Sequence, residues 1–219
     1  MGGSTGETSA VAPLYAIADA ATWGAESLPP WFERWQRWGV RCVQLRAKGL
    51  GATEVENLAR KLAAKRYPET SLWINDHPEV ARRVAAKGVH LGQEDVQPSV
   101  ARHVLAPGQL IGLSTHDLDQ ALAAQADPNV DVIAFGPIFE THSKVNPEPT
   151  VGLAMLAEIC AQVSKPVVAI GGIGIDSAPE VLRAGASSVA MIGALRSADP
   201  ERTTRALVEL LSVRPLGSD

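Results

Sequence analysis

The chain has 219 residues, 46% of them hydrophobic and 20% charged, with a net charge of −4 and a pI near 5.8. That length suits one sizeable domain, and an acidic balance without any basic run argues against nucleic acid or an anionic membrane as the main partner. The start, Met1-Gly2-Gly3-Ser4-Thr5-Gly6, lacks a signal peptide's apolar stretch, Gly6 stands where a myristoylation site needs Ser or Thr, and no apolar run reaches the ~18–20 residues of a membrane span.

In chain order, residues 1–11 read as a disordered tail. Short apolar, β-branched runs follow at 14–18, 40–45, 71–74, 88–91, 110–113, 131–135, 166–170 and 187–192. Helical spacing occupies 53–65, 78–86, 118–126, 153–163, 179–184 and 200–211, and residues 214–219 form a second tail. Trp31, Trp35 and Trp38 recur at i, i+4 and i+7, a stripe expected to pack a helix on the sheet rather than to bind a ligand. Cys42 lies in a strand pattern and Cys160 in a helical one, so both read as buried thiols of a reducing, cytoplasmic protein.

Strands alternating with helices imply parallel pairing. Eight such units predict a single (β/α)8 TIM barrel over residues 12–213, somewhat shorter than the ~250 residues usual for that fold. The rival, a doubly wound open sheet, would want a Gly-rich fingerprint after the first strand, where Ala18-Asp19-Ala20-Ala21-Thr22 offers none.

In such a barrel the chemistry lies at the carboxyl ends of the strands. Gln44, Arg46 and Lys48 follow the second strand at alternate positions and so point one way. Asn75 and Asp76 end the third, and Asp95 follows the fourth 19 residues later, the length of one helix and one return strand. Asp76 and Asp95 therefore land side by side, where a hard divalent cation could bind both. Ser114 follows the fifth strand, and the loop after the sixth brings Thr141, Ser143 and Lys144.

Taken singly, each is more often a strand end, a cap or a turn residue. Together, three cations and two acids at one mouth suit a diphosphate bridged to Mg2+: Arg46 grips oxygens bidentately, Lys48 and Lys144 act as point charges, and Asp76 with Asp95 holds the metal. Gly171-Gly172 and Ile192-Gly193 end the last two strands where these barrels commonly hold a monophosphate, although tight turns would also call for glycine there. His90 is either a barrel hydrogen-bonding residue or a site residue. His116 is either an acid–base group or a helix start, and His77, His103 and His142 lack zinc spacing.

Seven segments in order carry a family likeness: Leu14-Tyr15-Ala16-Ile17-Ala18-Asp19, Val43-Gln44-Leu45-Arg46-Ala47-Lys48, Ile74-Asn75-Asp76, Gly88-Val89-His90-Leu91-Gly92-Gln93-Glu94-Asp95, Gly112-Leu113-Ser114-Thr115-His116, the stretch from Gly136 to Lys144, and Ala169-Ile170-Gly171-Gly172-Ile173. From Leu14 to about Leu211 the chain resembles thiamine-phosphate synthase. The resemblance implies a transferase that joins a hydroxymethylpyrimidine diphosphate to a thiazole phosphate, giving thiamine phosphate and diphosphate, with Mg2+ as cofactor. By it, Gln44, Arg46, Lys48, Asn75, Ser114 and Lys144 would contact the pyrimidine diphosphate, with Arg46, Lys48, Ser114 and Lys144 catalytic. Asp76 and Asp95 would hold the metal, and Thr141, His142, Ser143, Gly172, Ile192 and Gly193 would line the thiazole phosphate site.

Three positions depart from the family pattern. Glu140 stands where proline is usual and adds negative charge beside anionic ligands, Gly193 replaces a common serine and loses a hydroxyl donor, and Ser143 replaces threonine. Two alternatives remain: a thiazole tautomerase using a histidine such as His116, which has no use for a metal pair, and a non-catalytic thiazole- or thiamine-phosphate binding protein. A homodimer through apolar helix faces is allowed. Asp76→Ala and Arg46→Ala are both expected to lower turnover far more than thermal stability.

Overall fold

The computed structural model describes residues 10–141 and 148–212. Its eight strands are β1 (Leu14–Asp19), β2 (Cys42–Arg46), β3 (Ser71–Asn75), β4 (Gly88–Leu91), β5 (Leu110–Thr115), β6 (Val132–Phe135), β7 (Val167–Ile170) and β8 (Ser188–Met191). Each pairs in parallel with the next, and β8 closes on β1 to complete the barrel. The predicted (β/α)8 fold is thus the one observed, rather than the open sheet.

The helices are α1 (Ala20–Trp23), α2 (Leu28–Arg37), α3 (Ala52–Ala64), α4 (Pro78–Arg83), α5 (Pro98–Val104), α6 (Leu118–Ala126), α7 (Gly152–Gln162), α8 (Ala178–Arg183) and α9 (Pro200–Ser212). Pro29 and Pro30 open α2, where a missing N–H leaves no intrahelical bond unmade. Helix α4 stops three residues before its expected end because Ala85 turns to φ 48°, and the Ala86 N–H returns to the Ala81 carbonyl. No helix among the described residues is long and apolar enough to cross a membrane.

The strands read as continuous apolar runs because both of their faces are buried. Ala16, Val43, Ile74, Val89, Ile111, Ala169 and Val189 pack under the helices, while Tyr15, Ile17, Cys42, Trp73, Val132, Ala134, Val168 and Ala190 cluster together inside the barrel. Val11, only 2% exposed, joins that inner cluster. The packed chain therefore begins ahead of residue 12, the boundary drawn from sequence, because an apolar side chain there packs onto the barrel interior.

The tryptophan stripe packs as expected. Trp35 is fully buried, and Trp31 and Trp38 lie half-buried beside it, with Trp23 of α1 4.7 Å from Trp31 and 5.2 Å from Trp35 between ring centroids. Such an aromatic group gains about 0.5–1.5 kcal/mol per pair beyond area burial, which fixes the short α1 against the barrel.

Candidate active site

Parallel strands bring all eight carboxyl ends to one rim, and the polar side chains there pair with one another in a definite pattern. At the end of β1, Asp19 lies opposite Arg46 in the β1–β2 register. Arg46 Nη1 donates to Asp19 Oδ1 at 2.6 Å, with the Arg46 side chain 17% and the Asp19 side chain 2% exposed. Deeper in β2, Gln44 Nε2 donates to the buried Tyr15 hydroxyl at 3.1 Å, which turns the amide oxygen of Gln44 the other way. Burial holds the Tyr15 phenol well above its ordinary pKa, so it remains a neutral partner.

Asp76 sits just past β3 with φ 64°, a left-handed conformation that aspartate tolerates better than most residues. Its N–H donates to the His90 carbonyl at 2.9 Å and Lys48 Nζ lies 3.4 Å from its Oδ2. Asp95 Oδ2 accepts the Gly92 N–H at 2.6 Å, and its carboxyl lies against that of Asp76. The two acids thus face one another, as the 19-residue spacing predicted.

Burial first, then the hydrogen bond and charge of Asp95, push Asp76 up to about 6 against the pull of Lys48. Burial also raises Asp95, but the Asp76 bond, the Gly92 N–H, Lys48 and His90 together hold it below the usual carboxylate range. Two crowded carboxyls of this kind are stabilised by a cation between them. Among the described residues no group of three or more His, Cys, Asp or Glu is placed to hold a metal, which leaves this pair as the candidate carboxylate donors. Such a set fits Mg2+, which takes one or two carboxylates and keeps its other positions for water and phosphate oxygens.

Inside the rim, His90 Nε2 lies 2.9 Å from Ser114 Oγ. A Cβ on Gly112 would fall 2.6 Å from His90 Nδ1, so the missing side chain at 112 makes room for the imidazole. Gln93 Nε2 donates to the Ser114 carbonyl at 2.6 Å, holding the loop after β4 against β5. Asn75, 8% exposed, lies beside His90 in the β3–β4 register. His116 Nδ1 lies 2.6 Å from the Gly136 carbonyl and so donates to it, which ties the ring to the start of the loop after β6.

That loop folds onto the end of β7. Ile138 and Phe139 donate their N–H groups to the Ile170 and Gly171 carbonyls at 2.9 and 3.0 Å. Gly172 has φ 64°, and a Cβ there would fall 2.3 Å from the Glu140 carbonyl oxygen. Its glycine is therefore explained by backbone approach, while Gly193, at the head of the 3-10 turn Gly193–Arg196, has open space where a Cβ would stand. Ile192 is half-buried just before it, packed against the inner cluster. Thr141 is described, as are residues 148–151 at the far end of the loop; His142, Ser143 and Lys144 lie outside the described residues.

Sequence reasoning missed Asp19 and Tyr15 as partners of site residues and left His90 undecided. The signal for Asp19 was its place at the end of β1, level with Arg46 once the strands are registered. Burial keeps both cysteines as thiols, pushing Cys42 up to about 12 and Cys160 up to about 11.

The chain matches the thiamine monophosphate synthase family over residues 14–195. It is 40% identical over 202 residues to the thiamine-phosphate synthase of Koribacter versatilis, covering 90% of this chain and 95% of that one. It is 38% identical over 208 residues to the thiamine-phosphate synthase of Halalkalibacterium halodurans, covering 94% and 98%. Among solved structures it is similar to the thiamine phosphate pyrophosphorylase from Pyrococcus furiosus, with a TM-score of 0.81 at 32% identity over 93% of this chain and 96% of that one.

Proposed function

The chain belongs to the thiamine monophosphate synthase family and is a thiamine-phosphate synthase of thiamine biosynthesis, and from that premise we propose how its barrel mouth carries the reaction. The substrates are 4-amino-2-methyl-5-(diphosphooxymethyl)pyrimidine and thiazole phosphate. The bond between the pyrimidine's methylene carbon and the diphosphate oxygen breaks, with its electron pair leaving on diphosphate. The thiazole nitrogen lone pair forms the new C–N bond, and the positive charge passes to the thiazolium ring.

Departure of a trianionic group is the hard step, so the chain's contribution is electrostatic and positional rather than covalent. Arg46 and Lys48, with Lys144, hold the diphosphate oxygens. Asp76 and Asp95 hold Mg2+, which, when bound, neutralises charge on those oxygens. Gln44 and Asn75 orient the pyrimidine, with Gln44 braced by Tyr15 from below, and the Ser114 hydroxyl is aimed by His90. Thr141, His142, Ser143, Gly172, Ile192 and Gly193 line the thiazole phosphate site and present its nitrogen to the opposite side of the carbon.

The observation that carries the reading is the facing Asp76–Asp95 pair with Lys48 3.4 Å from Asp76, on the rim where Arg46 also ends its strand. Neither a thiazole tautomerase nor a simple phosphate-binding protein needs such an acid pair on a cationic rim. The barrel is the catalytic domain, and the enzyme is cytoplasmic and able to form a homodimer. The test is to incubate the purified protein with both substrates and Mg2+ and to measure diphosphate. Stoichiometric diphosphate and thiamine phosphate, abolished by a chelator, are expected. Isomerisation of the thiazole phosphate without diphosphate release, or binding of both substrates without turnover, would overturn the reading.

A further inference from the structure

We infer that Asp19 is a positioning residue that holds the Arg46 guanidinium ready for the diphosphate; the inference rests on the reading of Arg46 given above. Both oxygens of the Asp19 carboxylate are engaged. Oδ1 takes Arg46 Nη1 at 2.6 Å, and Oδ2 takes the Thr22 N–H at 3.0 Å and the Thr22 hydroxyl at 2.7 Å. With only 2% of its side chain exposed, Asp19 has no other conformation open to it without stranding a buried charge.

The element carrying the other two contacts is itself fixed. Trp23 packs on Trp31 and Trp35, the Arg196 guanidinium lies 5.5 Å above the Trp23 ring, and Arg196 Nη1 donates to the Thr22 carbonyl at 2.9 Å. Position is therefore passed from a packed helix, through Thr22 and Asp19, to one nitrogen of Arg46. A guanidinium has five N–H donors and Asp19 accepts one of them, which leaves the rest for a ligand at the rim. A free arginine would lose side-chain freedom on gripping an anion; one already anchored loses little.

A purely structural Asp19 would affect stability and both substrates alike. The test compares Asp19→Asn with wild type for the Michaelis constants of both substrates and for inhibition by inorganic diphosphate with Mg2+. Expected are a rise of about ten-fold in the pyrimidine diphosphate KM and in the diphosphate inhibition constant, with the thiazole phosphate KM within about two-fold of wild type. In an Arg46→Gln background, adding Asp19→Asn should change diphosphate inhibition no further.

Tighter diphosphate binding in Asp19→Asn, as expected if the carboxylate merely offsets the guanidinium's charge, overturns the inference, and so does an equal change in both Michaelis constants. If Asp19→Asn fails to fold, Thr22→Val, which removes one bond to Oδ2, should raise the pyrimidine diphosphate KM about two- to five-fold, and no change overturns the inference. Weaker diphosphate inhibition in Arg46→Gln with none in Asp19→Asn overturns this inference alone. Unaltered inhibition in Arg46→Gln overturns the assignment of Arg46 and this inference with it.

Discussion

Replacing Asp76 by Asn should stabilise the protein while weakening its use of Mg2+. Asparagine tolerates φ 64° as aspartate does, so the change removes charge without adding backbone strain, which alanine would introduce. A carboxyl raised from the ordinary ~3.9 to about 6 is disfavoured as an anion by roughly 3 kcal/mol at ~1.36 kcal/mol per pKa unit. The Asp76 side chain is 20% exposed and its Lys48 partner 54% exposed, so solvent screening brings this to about 1–2 kcal/mol, or about 3–6 °C in Tm for a domain of this size.

The sign depends on pH. Asp76 binds its proton more tightly folded than unfolded, so the wild type gains stability as pH falls from about 6 to about 4. Above pH 6 the variant's advantage is complete, and by pH 4 it is gone. Thermal unfolding of both proteins between pH 4 and 8, in chelator and then in Mg2+, measures it. In Mg2+ the wild type should recover most of the difference and the variant little. A variant less stable than wild type at pH 7.5 in chelator, or a Tm difference constant from pH 4 to 8, would refute the idea that the acid pair is strained without a cation.

Three further substitutions separate site from scaffold. Gly193→Ser, placed where nothing lies within 4 Å of a Cβ, should leave Tm unchanged and add one donor worth about 1 kcal/mol, lowering the thiazole phosphate KM roughly five-fold in steady-state assays. Gly112→Ala puts a methyl 2.6 Å from His90 Nδ1 and should break the His90–Ser114 contact, lowering kcat/KM at least about ten-fold and stability by about 1–3 kcal/mol in denaturant unfolding. Arg46→Ala should cost about 3–5 kcal/mol in the same unfolding measurement, because it leaves the buried Asp19 carboxylate unpaired. The expectation from sequence, that Arg46→Ala lowers turnover far more than thermal stability, did not count this buried partner.

What the chain discloses on reading depends on whether a residue's neighbours are local. The strands are legible because both faces are buried, giving apolar runs that need no partner to be recognised. Helix α5 leaves no such mark: in Pro98–Val104 only Pro98 and Ala101 are buried, and Val100 is 56% exposed, so no stripe forms. Helix α1 has four residues and owes its start to Asp19, whose side chain caps it. The Asp76–Asp95 pair was foreseeable because one strand–helix–strand unit joins the two acids. Asp19 and Arg46, 27 residues apart on consecutive strands whose connection carries two helices, were not, because neither strand's own apolar pattern marks the register that sets the two level. The close backbone approach at Gly172 was hidden for a related reason, since the backbone that excludes its Cβ comes from the loop after β6.

The pairings also distinguish two cations that look alike in sequence. Lys48 meets Asp76 at 3.4 Å with its own side chain 54% exposed, a contact worth about 0–1 kcal/mol and open to exchange for a better anion. Arg46 meets Asp19 at 2.6 Å with the carboxylate almost wholly enclosed, a contact whose loss strands a buried charge. On the reading proposed above, an arriving diphosphate takes Lys48 from its partner but binds Arg46 together with its partner. Fixed geometry is then supplied by Arg46 and mobile charge by Lys48. A leaving group whose charge grows as its bond breaks requires both, since a wholly fixed site would fit only one charge distribution and a wholly mobile one would lose order with every turnover.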